Sequence, residues 1–178
     1  MLPVLLVALG CAAGTPSDLL ITIETSGPGR EEKPSAEKKD RLTWPQWRGP
    51  SRDARSAGPT WPAAVDAKSL KRLWKVKLGP SYSGPIVSPD IVYTTESENN
   101  ENEVVRAYDR DTGKELWKAK WPGAMKVPFF ARSNGSWIRS TPALDGDKLY
   151  VAGMRDVLAC LDARTGKKKW LIDFPKKA

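Results

Sequence analysis

The chain has 178 residues, among them 15 Pro, 14 Gly and 8 Trp, which excludes a helical bundle because Pro and Gly interrupt helices. Its 29 Lys and Arg against 21 Asp and Glu give a formal charge of +8, with the excess beyond residue 42. These cations are mostly scattered singly through predicted turns and strand ends, and Lys167–Lys169 falls where a strand starts, so they read as solvated surface and no nucleic-acid partner is expected. With no His and two Cys, neither a zinc site, a His-based triad nor a His-ligated haem can be assembled.

Residues 1–14 read as a leader. The apolar run 2–10 is too short to span a bilayer but long enough for the core of a signal peptide. The small residues before Cys11 resemble a bacterial lipoprotein cleavage site, which would make Cys11 a lipid anchor; a signal-peptidase cut near Ala13 fits the same stretch. Either way an exported protein is expected, in the periplasm or at the outer membrane. Residues 15–42 read as a disordered, flexible linker, since residues 27–40 offer almost nothing apolar to bury. From Thr43 the chain is predicted to fold, starting with Trp44-Pro45-Gln46-Trp47-Arg48-Gly49-Pro50, an extended lid whose tryptophans need an apolar surface. Cys160 alternates with polar neighbours and reads as a small core residue.

The rest of the chain repeats. Tyr108-Asp109-Arg110-Asp111-Thr112-Gly113-Lys114-Glu115-Leu116-Trp117 aligns with Leu161-Asp162-Ala163-Arg164-Thr165-Gly166-Lys167-Lys168-Lys169-Trp170, and a degenerate copy ends at Trp74. Upstream, Ser83-Gly84-Pro85 matches Ser140-Thr141-Pro142 and Tyr93 matches Tyr150. Each unit reads as four strands, at 83–88, 90–95, 103–109 and 115–120, then at 138–144, 147–152, 156–162 and 168–173. The polar stretch Glu96 to Glu103 reads as a length-variable hairpin tip. Asp109 and Asp162 are placed to accept bonds from the turn amides, and Gly113 and Gly166 to supply positive φ. Trp74, Trp117 and Trp170 are then expected to pack between sheets rather than to bind a ligand.

Four-stranded units with one signature each predict an all-β fold, a β-propeller fragment of about two antiparallel blades (83–120 and 138–173) preceded by one closing outer strand near 66–78. The turn-and-tryptophan copies resemble the docking motif of the PQQ-binding-like repeat family, and Trp44–Pro50 resembles the opening of its exported bacterial members. The resemblance covers residues 43–178. It implies more blades than the two counted here, hence an N-terminal piece lacking its partner blades, or fragments that assemble into a ring.

The resemblance also implies two functional classes. One is a non-catalytic binding or scaffolding propeller of the cell envelope, whose partner is a protein or other envelope component. Its candidate surface is the long connection between blades, with Trp121, Phe129, Phe130, Trp137 and Arg139 combining aromatic area with charge, although the same aromatics could simply plug the axis or cover blade edges. The other is a piece of a quinone-dependent dehydrogenase, whose relatives hold PQQ and Ca²⁺ at the axis. For that role the acids Asp145, Asp147 and Asp156 sit in turns and the adjacent cysteines of many such enzymes are lacking. No nucleophile–base pair or phosphate-binding loop is legible, so no catalytic residue is expected, and PQQ and calcium are expected only in a longer protein.

Overall fold

The computed structural model describes residues 20–21, 41–56, 58, 66, 70–123, 125 and 127–174. Cys11 with the rest of the leader, and most of the expected linker, lie outside the described residues. The fold is all-β. Two-residue strands β1 (Leu20–Ile21) and β2 (Val76–Lys77) pair with each other. The first four-stranded sheet contains β3 (Ile86–Val87), β4 (Ile91–Glu98), β5 (Asn102–Asp109) and β6 (Glu115–Pro122), each antiparallel to the next. A second sheet repeats that meander with β7 (Ala143–Asp145), β8 (Lys148–Ala152), β9 (Val157–Asp162) and β10 (Lys168–Asp173).

The two sheets stack, and the period-2 alternation of strand side chains explains their core. Ile86, Ile91, Tyr93, Val105, Ala107 and Trp121 of the first sheet meet Leu149, Val151, Val157, Ala159 and Leu161 of the second. The opposite face of the first sheet places Val87 and Val92 against Trp74, Leu73, Val76 and Trp44. Strand β4 is therefore covered on both faces, and seven of its eight residues are buried. Cys160 is buried and unpaired in β9.

Several expectations are corrected. The inner strands shrink to two and three residues, because Pro85 and Pro142 precede them and offer no ladder N–H. The closing outer strand is only Val76–Lys77, and its partner is Leu20–Ile21, two residues of the stretch read as linker. The Trp44 segment lies along the inner edges of the sheets: Trp44 exchanges both backbone bonds with Val87 (2.7 and 2.8 Å), and Leu144 N–H donates to Pro45 O at 2.8 Å. The polar stretch 96–103 is not a loose tip. Strands β4 and β5 extend through it in register from Glu96↔Val104 to Glu98↔Asn102, with the turn confined to residues 99–101.

This arrangement gives each sheet two ends. One holds the turns at 88–90, 110–114, 146–147 and 163–167. The other, the loop end, gathers the hairpin turns at 99–101 and 153–156 and the connection from β6 to β7, which contains a 3-10 helix at Phe129–Asn134.

Candidate functional site

Both Asp-x-x-Thr-Gly turns are built alike. Asp109 Oδ1 accepts from the amides of Asp111 and Thr112 and from the Thr112 hydroxyl (2.7 Å). Asp162 Oδ1 does the same for Arg164 and Thr165. Gly113 and Gly166 sit at φ of 70° and 71°, where a side chain is strained.

Each of these turns receives the tryptophan of the preceding unit. The Trp74 ring lies over Gly113 and its Nε1 donates to Arg110 O at 2.9 Å. Trp117 lies over Gly166, with Nε1 donating to Ala163 O at 3.1 Å. The same carbonyl accepts the Tyr93 hydroxyl at 3.1 Å, and burial pushes that phenol up to about 12. Trp170 stands 6.0 Å from Tyr150, as Trp117 does from Tyr93, but is 39% exposed. Arg110 adds a second tie, its buried guanidinium donating to the carbonyls of Leu42 and Ser88.

The five candidate surface residues separate into three groups. Trp121 is buried, and its Nε1 donates to Glu103 Oε2 at 3.1 Å, so it belongs to the interior rather than to a surface. Phe129 and Phe130 are 80% and 77% exposed and meet edge to face on the 3-10 helix. Trp137 and Arg139 converge on Tyr82: the indole is 5.1 Å from the phenol ring and the guanidinium 4.7 Å from its centroid. Arg139 also donates to Gly135 O at 2.9 Å. A cation over a tyrosine face is worth about 0.5–1 kcal/mol at an exposed site, enough to hold a side chain's orientation. Tyr82 was not recognisable as part of this group in the sequence, because it lies 55 residues before Trp137.

Sequence reasoning also missed the acids of the 96–103 stretch. Glu96 is buried, accepting from Arg106 Nε at 2.7 Å and from the Gly79 amide. Glu103 is fully buried; desolvation raises its carboxyl above the ordinary carboxylate value, opposed by the Met154 amide, Trp121 and the Arg155 charge. The signal was present: Glu103, Val105 and Ala107 share one face of a strand by period-2 spacing.

The acids weighed for metal or cofactor chemistry are not gathered. Asp147 pairs with Lys169 at 2.6 Å, Asp145 faces Lys148 across the β7–β8 ladder, and Asp156 sits in a left-handed turn at φ 49°. Among the described residues no three His, Cys, Asp or Glu side chains stand close enough to hold a metal ion. These acids therefore do not gather into a calcium site.

Residues 101–178 match the family model described as outer membrane protein assembly factor BamB, a PQQ-like repeat family. Residues 101–178 thus carry repeats of the PQQ-like type. Each of the two sheets has the four-stranded antiparallel meander of a propeller blade, and the connection on the loop end joins the last strand of one to the first strand of the next. The chain is also 33% identical over 110 residues to the quinohemoprotein alcohol dehydrogenase ADH IIB of Pseudomonas putida. The match takes in 60% of the chain and 15% of that dehydrogenase. Among solved structures, BamB from Moraxella catarrhalis matches 61% of the chain and 29% of its own length (22% identity, TM-score 0.42). A europium-containing methanol dehydrogenase matches 51% and 16% (19% identity, TM-score 0.38).

Proposed function

We propose that this PQQ-like propeller chain is a non-catalytic binding or scaffolding module of the bacterial cell envelope, exported to the periplasm or the outer membrane, and that the connection between its blades contacts a protein partner. The observation that carries the reading is the exposure of Phe129 and Phe130 on a connection whose two ends are fastened to the blades. Exposed aromatic area, with Arg139 farther along the same connection, matches the composition of interface hot spots. Trp74 and Trp117 serve the fold in this reading, each lying over the glycine of the following turn. The family description, an assembly factor of the outer membrane, agrees with such a role.

The test is to replace Phe129, Phe130 and Arg139 together by Ala in the protein as its own cells express it, and to compare the proteins recovered with it. Loss of a specific partner supports the surface; unchanged recovery excludes this connection.

A second reading has one observation in its favour, the 33% identity to a quinohemoprotein alcohol dehydrogenase. It would make the chain part of an enzyme whose cofactor residues lie elsewhere. Titration with PQQ and Ca²⁺, with an alcohol and an artificial electron acceptor present, distinguishes the two: reduction of the acceptor establishes the enzyme, and its absence with partner capture intact favours the module.

A further inference from the structure

We infer that one cross-strand pair, Ser97 on β4 and Glu103 on β5, forms the neck of the blade-to-blade connection and acts as a pair of positioning residues for everything it displays. The two are direct partners in the β4–β5 ladder. Residues so paired lie about 4.5–5.5 Å apart at Cα, so whatever they hold is brought together.

They hold opposite ends of one segment. Glu103 Oε2 accepts the indole N–H of Trp121, where the connection leaves β6. Ser97 Oγ accepts the amide of Ile138, where it returns, at 3.0 Å. Both anchored residues are buried, Ile138 completely. The excursion between them is thereby closed as an Ω-loop, a surface loop with adjoining ends, and it carries Phe129, Phe130 and Trp137.

The pair also ties that loop to its surroundings. Glu103 Oε1 accepts the Met154 amide from the β8–β9 hairpin of the second blade. The Ser97 amide donates to Pro80 O, and the Tyr82 amide to Ile138 O, both at 2.9 Å, so the segment bearing the aromatic partner of Trp137 is fixed to the same neck. Space is made by glycine: a Cβ at Gly123 would come within 2.6 Å of Glu103 Oε2, and one at Gly153 would collide with the same oxygen.

The chemistry explains why a carboxylate stands there. Two buried donors meet different oxygens of Glu103, the Met154 amide at Oε1 and the Trp121 indole N–H at Oε2, an arrangement a carboxylate offers with two acceptor oxygens. A glutamine offers one oxygen and turns its own N–H₂ against the other donor.

The experiment is hydrogen exchange of the 178-residue chain, followed by mass spectrometry on peptides from residues 123–138 and, for comparison, from β9–β10, whose ladder bonds neither side chain touches. Ser97→Ala and Glu103→Gln are each expected to speed exchange in the connection by about tenfold, the effect of losing one bond to a buried donor, with much smaller changes in β9–β10. Adding Trp121→Phe to Glu103→Gln removes the second donor, so the double variant is expected to exchange more slowly in the connection than Glu103→Gln alone. A merely volume-filling glutamate would show no such rescue. Should Glu103→Gln not fold, Ser97→Ala carries the test alone, since it removes a single oxygen. Unchanged exchange in the connection, or equal acceleration in β9–β10, overturns the neck. The functional consequence alone rests on the partner-binding reading: a loosened connection with undiminished partner capture keeps the neck and removes that surface.

Discussion

Replacing Gly166 by Ala isolates the tryptophan dock, because a second glycine provides a matched control. Gly166 sits at φ 71°, and a Cβ there would lie 2.5 Å from the Trp117 ring. Gly146 sits at φ 56° in the β7–β8 turn, and a Cβ there meets nothing within 4 Å. Both substitutions carry the left-handed cost, about 1–2 kcal/mol. Only Gly166→Ala also displaces an indole, losing the Nε1 bond to Ala163 O, about 1 kcal/mol, and incurring the strain of overpacking, about 1–3 kcal/mol. The expected destabilisation is therefore about 3–6 kcal/mol at Gly166 against about 1–2 kcal/mol at Gly146. Urea unfolding followed by far-UV circular dichroism measures both. Equal losses, within about 0.5 kcal/mol, would refute the docking of Trp117 on that turn.

Two further expectations concern buried ionisable groups. Burial pushes Tyr93 and Tyr108 up to about 12, so absorbance titration of the native chain should show both ionising late, and Tyr93→Phe should remove one of them. Since the folded chain holds these protons more tightly, their contribution is intact below pH 10 and is lost as pH rises through about 12. Glu103 follows the same sign: its raised carboxyl makes the folded chain bind a proton more tightly, so stability is full below the ordinary value of 4.5 and falls as pH rises through the folded value. The charged groups facing it are few, Arg155 with its partner Asp173. Stability against pH should therefore be flatter across the acid range in Glu103→Gln than in the parent, and identical slopes would contradict the assignment.

The blade plan was legible because the repeat fixes it. Two copies of Asp-x-x-Thr-Gly…Trp, read with period-2 alternation, locate four strands each, since the turn residues permit few backbone conformations. What was not legible depends on contacts between distant segments. The stretch 96–103 is polar enough to pass for a loop tip, yet Glu96 and Glu103 are buried, because Arg106 and the amides of Gly79 and Met154 meet their oxygens. Trp121 looked like a surface aromatic until its indole was placed on Glu103. Trp44 and Pro45 follow no repeat, so nothing in their spacing announced that they span the inner edges of both sheets. Of the candidate surface, composition pointed to Phe129, Phe130, Trp137 and Arg139 but could not supply Tyr82, which gathers two of them.

The central claim is that the blade-to-blade connection meets a protein partner, and site-specific photo-crosslinking in the native envelope tests it most directly. A photoreactive phenylalanine analogue at Phe129 or Phe130 should yield a discrete crosslinked protein. The same probe at Leu116, which is 46% exposed on β6 but outside the connection, should not. Crosslinks of equal yield at Leu116, or none at Phe129 and Phe130, would contradict the account.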